Sequence, residues 1–331
     1  MKLDSFESLL RMAGGFQPAK IFLAANEIDL FTHLSEERDP VQLALDLGVQ
    51  ARGLEILLDA LVALGLVDKQ QGGYRNAELA QTWLTAGPGY RGHIFKHLNH
   101  CWQAWSDLEK ILREGHLASP MEKEILGDSE RWNHIFINGM DDVTRELAPQ
   151  VVAQLDLQGV ETLMDLGGGP GTYVAAFLER FPQLREVRLF DLPETLEVAR
   201  EKLAARGLLE QVELIPGDFI RNDLGHGLDA VWISQVLHSQ SEVACRLVLE
   251  KAWRALNPGG LVLIHEFFLD AERTAPLRAA MFSVHMLVMT DAGRGYTHAE
   301  VAAWLGQIGF EGVQWTQVSE DTGVVMGRKP R

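Results

Sequence analysis

The sequence predicts an α/β protein, a doubly wound parallel sheet preceded by an all-helical N-terminal domain. Three observations predict it. From about residue 157 onward, apolar strands alternate with single helices, the pattern of a parallel sheet covered on both faces. The first of those strands runs directly into the glycine-rich turn Gly167-Gly168-Gly169-Pro170-Gly171. The first 76 residues instead read as helices closed by two short strands. A length of 331 residues suits about two domains.

Taken in order, Pro18–His33 places Ile21, Leu23, Ala24, Ala25, Ile28 and Phe31 at helical spacing. Asp39 then caps a second helix, with Pro40 at its first position and Gly48 just past its end. In the third, Leu54, Leu57, Leu58, Leu61 and Leu64 make one face. The segment after Gly65 reads as a strand, a Gly72-Gly73 turn and a second strand. Three helices and a two-strand wing is the order of a winged helix. A DNA-reading third helix needs cations, and this one offers Arg52 beside Glu55 and Asp59, so packing or dimerisation is the expected role.

Residues 91–155 read as helical and rich in aromatics, among them Phe95, Trp102, Trp105, Trp132 and Phe136. His93, His97 and His100 recur near helical spacing, but no carboxylate falls at a matching distance, so they are read as surface or packing residues rather than metal ligands. The strands of the second half follow: ETLMDLG, EVRLFDLP, QVELIPGDF, LDAVWISQVLHS and LVLIHEFFLD, with helices between most of them. The expected division is a dimerisation domain over 1–90, a helical substrate-pocket region over 91–155 and a cofactor-binding domain over 156–331.

Composition narrows the function. Asp and Glu number 46 against 30 Lys and Arg, a net charge of −16, which repels nucleic-acid backbones and anionic lipid. Neither nucleic acid nor membrane is an expected partner. Two cysteines, Cys101 and Cys245, cannot make a disulfide framework, and the N-terminus lacks the basic-then-apolar pattern of a signal peptide. No apolar run approaches the ~18 residues of a membrane span. The expectation is a soluble, cytoplasmic protein.

Glycines between a strand and a helix let a ligand approach the backbone with no Cβ in the way. The dinucleotide spacing G-x-G-x-x-G fails here, because Thr172 takes the third position and Pro170 lies inside the turn. Gly167-x-Gly169-x-Gly171 suits a ligand without pyrophosphate. Asp191, with Leu192 beside it, ends the second strand, where a carboxylate accepts hydrogen bonds from ribose hydroxyls. Asp218 ends the third, where it would accept from an adenine amine with Phe219 against the ring. An adenosyl ligand across the carboxyl edge of the sheet accounts for all three features.

On these residues the chain resembles class I S-adenosylmethionine (SAM)-dependent methyltransferases. More narrowly, it resembles the O-methyltransferase family of the caffeic-acid, acetylserotonin and bacterial natural-product enzymes. DLGGGPGT, FDLPET, PGDF, LNPGG and LVLIHE follow the family's motifs in order. The resemblance implies a Rossmann-like sheet, SAM as cofactor, a homodimer formed through the N-terminal domain, and a flat aromatic or polycyclic acceptor. It implies cofactor contacts from Asp165, Gly167, Gly169, Asp191, Leu192, Asp218, Phe219 and Ser234, the last standing where relatives often carry Lys. The family's base is a His after the fourth strand, which places His238 in that role. An imidazole titrating near neutrality can take a proton from a hydroxyl that attacks a sulfonium methyl.

The sequence also departs from the family. The Glu that usually orients the base, in G-G-x-E-R-T, is replaced by Gly295 within Ala292-Gly293-Arg294-Gly295-Tyr296-Thr297. The expectation is a base without that carboxylate partner. Glu266 matches the acid after the fifth strand and reads as structural. Phe136 and Met140 match the substrate-side F-N-x-G-M pattern, with Ile137 where a polar residue is common. Met281, Met286 and Met289, with Phe282, would give an adaptable pocket wall. His285, near a position where relatives carry Asn, would orient the substrate by hydrogen bonding in preference to binding metal or packing. The alternatives are C-methylation, with or without a metal on His238 and His285, and SAM binding without methyl transfer.

Overall fold

The structure, a computed structural model, describes residues 3–115 and 130–331; the stretch 116–129 of the expected helical region lies outside the described residues. Two compact units result, Met1–Gln103 and Ala104–Arg331.

In the first unit, the helix Phe6–Gly14 starts at a reciprocal cap between Ser5 and Ser8. The helix expected over Pro18–His33 is two, Phe16–Glu27 and Leu30–His33. Asp29 interrupts it in the left-handed region at φ 53°, a conformation in which a short polar side chain is among the better tolerated. Asp39 accepts from the N–H groups of Val41 and Gln42 at 3.0 Å, and Gly48 closes that helix in the left-handed conformation. After the helix Ala51–Ala63, the strands β1 (Val67–Gln70) and β2 (Gly73–Asn76) pair antiparallel. Leu30, Phe31, Leu43, Leu54, Leu58, Leu61 and Tyr74 make the core of this unit. On the helix Gly92–Trp105, His97 is buried and its Nε2 lies 3.4 Å from the Cys101 thiol one turn on.

The second unit is built on a seven-stranded sheet, β3 (Thr162–Leu166), β4 (Glu186–Asp191), β5 (Val212–Pro216), β6 (Leu228–Ser234), β7 (Leu256–Glu266), β8 (Glu311–Gln317) and β9 (Gly323–Arg328). Their order is β5-β4-β3-β6-β7-β9-β8. The first five run parallel, while β8 and β9 join as an antiparallel hairpin beyond β7. The sequence reading, which ended with β7, did not include that hairpin. Its outer strand is largely exposed, so it lacks the apolar run that marks a buried strand. LNPGG forms the start of β7.

Strand side chains alternate between faces, and here both faces are apolar. Leu163, Ala230, Trp232, Leu261 and Leu263 enter one core, with the helices Thr172–Arg180 and Pro193–Ala205. Met164, Val231, Ile233, Val262 and Ile264 enter the other, with Glu242–Ala255 and His298–Ile308. Each fully buried aliphatic side chain contributes about 1.5–3 kcal/mol, so the carboxyl ends of the central strands sit on a rigid base. The chain order reverses between β3 and β6, which is where open α/β sheets bind ligands.

Candidate active site

The glycine turn leaves β3 at that reversal. Gly167 and Gly169 both have positive φ, 71° and 54°. A Cβ on Gly167 would stand 2.7 Å from Val236 Cγ2 and 3.8 Å from Phe219 Cε1. One glycine therefore brings the segment after β6 and the segment after β5 against the turn. Around Gly169 a Cβ would meet nothing within 4 Å, so the turn borders open space on that side. The helix that follows starts at Thr172.

Asp191 holds the turn from β4. Its Oδ2 accepts from the Gly169 N–H at 2.8 Å and its Oδ1 from the Leu192 N–H at 2.7 Å. Burial raises its pKa against the pull of those N–H groups. Asp165 lies beneath the turn, wholly buried, and a Cβ on Gly168 would press on its carboxyl at 2.9 Å. Burial, reinforced by Asp191, pushes the Asp165 carboxyl up to about 8. Its Oδ2 is buried with no hydrogen-bond partner among the described residues.

Asp218 and Phe219 begin the segment after β5. The Asp218 Oδ1 accepts from the Ile220 N–H at 2.8 Å, and its Oδ2 is 3.3 Å from Arg221 Nε. The Lys251 ammonium, on the helix Glu242–Ala255, donates to the carbonyls of Phe219, Ile220 and Asn222 at 2.7–2.9 Å. Sequence reasoning did not single out Lys251, which lies about thirty residues away on another element.

Ser234 ends β6 directly beside His265 of β7, and its Oγ is 2.9 Å from His265 Nδ1. Tyr173 Oη approaches the same nitrogen at 3.3 Å, and Thr322 Oγ1 lies 2.9 Å from Nε2. Burial pushes His265 down to about 4, so it is a neutral core imidazole.

His238 lies on the short turn Leu237–Ser239 after β6. Its Nδ1 is 2.8 Å from Glu266 Oε2, at the end of β7. Glu266 is 2% exposed, and its Oε1 accepts from the N–H groups of Leu237 at 2.9 Å and His238 at 3.3 Å. One carboxylate therefore holds the ring and the backbone of the same turn. This corrects the reading of Glu266 as structural and of His238 as lacking a carboxylate partner. Gly295 has its own reason: a Cβ there would stand 2.8 Å from Leu269 Cδ1 and 3.1 Å from Ser283 Cβ, and its N–H donates to Ser283 Oγ at 3.0 Å. The helix Leu277–Met289 packs too close to admit a larger side chain.

That helix packs against the turn of His238. Phe282 meets His238 edge-to-face at 4.8 Å between centroids, and lies 5.7 Å from His285. At about 100° per residue, Met281, His285 and Met289 form one stripe. Met281 is exposed, Met289 is buried, and Met286 is buried to the side of that stripe. Burial, then the proximity of His238, pushes His285 down to about 4. Phe136 and Met140, one turn apart and half-buried, lie on the helix Glu130–Thr144. Asp141 of that helix is fully buried and accepts from Thr172 Oγ1 at 2.7 Å and Lys202 Nζ at 2.9 Å, with Arg145 and Arg206 also paired to it. It ties the helix of Phe136 and Met140 to the helix of the glycine turn, and sequence reasoning missed it.

Comparison with known proteins fits this geometry. Residues 105–311 match the O-methyltransferase domain family and residues 10–86 the O-methyltransferase dimerisation domain. The chain is 33% identical over 328 residues to a 3-hydroxy-5-methyl-1-naphthoate 3-O-methyltransferase of Streptomyces sahachiroi, covering 97% of this chain and 94% of the relative. It is 31% identical to a tetracenomycin polyketide synthesis 8-O-methyl transferase of Streptomyces glaucescens, covering 98% and 96%. A crystal structure of human N-acetylserotonin methyltransferase in complex with SAM superposes with a TM-score of 0.87 at 27% identity, covering 100% of this chain and 99% of that one. No helix among the described residues is long and apolar enough to cross a membrane. The turn that a Cβ would fill, the orphaned Asp165 oxygen beneath it and the matched domains agree: this chain belongs to the family of SAM-dependent O-methyltransferases.

Proposed function

We propose that this enzyme methylates a hydroxyl of a flat aromatic or polycyclic small molecule, with His238 as the general base. The observation that carries this reading is the 2.8 Å contact between His238 Nδ1 and the buried Glu266, two residues from the Val236 side chain that packs on the glycine turn. An ionised carboxylate only accepts, so Nδ1 keeps its hydrogen and Nε2 presents a lone pair. The acceptor hydroxyl gives its proton to Nε2 as its oxygen attacks, and Glu266 stabilises the imidazolium that forms. Bound SAM would supply a methyl group activated by its sulfonium, released to the attacking oxygen with the electron pair of the broken methyl–sulfur bond left on sulfur.

On this reading the cofactor is held by Gly167, Gly169, Asp191, Leu192, Asp218 and Phe219. The Asp165 carboxyl is the complement of the cationic amino group, and Ser234 closes the site through His265. Phe136, Met140, Met281, Phe282, Met286 and Met289 provide apolar surface for the acceptor, with His285 as its polar contact. We read residues 1–90 as the dimerising part, 91–155 as the pocket-forming region and 156–331 as the cofactor domain. The naphthoate and polyketide acceptors in the names of the two Streptomyces relatives favour a fused-ring acceptor. The exposed Phe6, Leu10 and Phe16 of the first unit favour a homodimer.

Isotopic methyl transfer from labelled SAM to a library of phenols and hydroxynaphthalenes tests this reading. Label in an ether product is the expected result. Transfer to carbon, or S-adenosylhomocysteine (SAH) affinity without transfer to any member, overturns it.

A further inference from the structure

At the end of the helix Gly92–Trp105, within the second unit, the Trp105 indole lies nearly parallel to His285 with centroids 6.1 Å apart and an interplanar angle of 19°. Its Nε1–H donates to His285 Nδ1 at 3.0 Å. An indole nitrogen only donates. An imidazole nitrogen that accepts from it carries no hydrogen, so in a neutral ring the hydrogen is on Nε2. His285 remains neutral, since burial and the nearby His238 oppose its protonation. No partner for Nε2 is present among the described residues, and the ring keeps partial exposure. The two histidines that neighbour Phe282 therefore carry opposite polarity. His238 offers a lone pair, because Glu266 takes its Nδ1–H. His285 offers an N–H, because Trp105 occupies its Nδ1.

We propose that Trp105 is a positioning residue that holds His285 as an Nε2–H donor, and that the enzyme thereby selects acceptors with a second, hydrogen-bond-accepting oxygen, such as a carbonyl, near the hydroxyl that is methylated. This rests on the reading of His238 as base and deepens it into a substrate class. A plain phenol satisfies His238 but leaves the His285 N–H buried against an apolar ring, a cost the carbonyl-bearing acceptor avoids. A group that only donates, such as an ammonium, would fit less well than a carbonyl, because the site offers a donor.

Two acceptors that differ by a carbonyl in place of a methylene test the selectivity: 8-hydroxy-1-tetralone and 5,6,7,8-tetrahydro-1-naphthol. The expected kcat/KM ratio favours the tetralone by about tenfold. Trp105→Phe keeps the stacked ring and removes the N–H. It is expected to lower the ratio by at least about twofold, in proportion to the share of His285 rings that no longer carry their hydrogen on Nε2, while the rate with the naphthol stays within about twofold of wild type. His285→Asn supplies its own amide donor and is expected to retain selectivity, and adding Trp105→Phe to it should change nothing further. Nitrogen-15 spectra of histidine-labelled protein report the tautomer without any substrate. The expected His285 pattern is a bare Nδ1 and a protonated Nε2, turning into a tautomer mixture in Trp105→Phe.

A wild-type ratio near one, or turnover of neither probe by an enzyme that methylates other phenols, overturns the selectivity. A hydrogen on His285 Nδ1 in wild type, or a ratio unchanged in a folded Trp105→Phe, overturns the role of Trp105. An enzyme that methylates nothing in the phenol library fails at the proposed function instead, and the nitrogen spectra still decide the tautomer.

Discussion

Replacing Glu266 by Gln removes one charge and leaves the shape almost unchanged. In the wild type Oε2 takes the His238 Nδ1–H at 2.8 Å, while Oε1 takes two backbone N–H groups, at 2.9 and 3.3 Å. A glutamine has one oxygen to serve both sides. If its oxygen turns to the backbone, its NH2 faces Nδ1 and stabilises the tautomer with the hydrogen on Nε2, which cannot act as a base. If it turns the other way, the NH2 meets the two backbone donors in a site that is 2% exposed. Either arrangement loses a hydrogen bond to a charged group, worth about 1.5–3 kcal/mol. At 1.4 kcal/mol per decade that is a fall in kcat of roughly 10- to 150-fold. Affinity for SAH should change less than about twofold, because no cofactor contact is touched. The assay pairs labelled methyl transfer under saturating SAM with calorimetric SAH binding. A kcat within twofold of wild type in a folded Glu266→Gln variant would refute the argument that this carboxylate sets the tautomer of the base.

Three further outcomes follow from the same geometry. Although burial alone would raise the Asp141 pKa, hydrogen bonds from Arg145, Lys202 and Thr172 bring it down to about 2. A folded-state pKa below the unfolded value stabilises the fold above pH ~4 and loses that stability as pH falls toward 2, a contribution of about 2 kcal/mol. In denaturant unfolding, Asp141→Asn should be less stable than wild type at pH 6 and should lack that part of the acid loss. Lys251→Met removes the ammonium from three carbonyls of the Phe219–Asn222 segment; SAH dissociation should rise about tenfold with kcat at saturating SAM little changed, as steady-state kinetics and calorimetry will show. The Asp165 carboxyl, raised to about 8 by burial and by Asp191, is mostly protonated at pH 7. Binding a cationic amino group beside it should expel that proton, so the SAH binding enthalpy at pH 7 should vary with the ionisation heat of the buffer in wild type and not in Asp165→Asn.

Local features were legible in the sequence. The glycine turn, Asp191 and Asp218 each occur at the end of an apolar strand, and strand order alone brings them to one edge. Glu266 was misread because its partnership with His238 spans 28 residues and requires β6 and β7 to be neighbours. The sequence showed what Gly295 lacks, yet the reason is the close approach of Ser283 and Leu269, a matter of packing. Asp141 was hidden because its partners lie one turn away, on the helix Thr172–Arg180, and on or just past the helix Pro193–Ala205. The β8–β9 hairpin was missed because β8, an exposed edge, carries Gly312, Gln314 and Gln317 in place of a continuous apolar run.

The central claim is that His238 removes the proton of an acceptor whose methyl donor lies on the adjacent glycine turn. The direct measurement is single-turnover methyl transfer to one phenolic acceptor by wild type and His238→Gln, with SAH affinity measured on both. The account predicts equal affinity within about twofold and a transfer rate lower by about 10²–10⁴ in the variant. Equal transfer rates in the two proteins, or no SAH affinity in either, would contradict it.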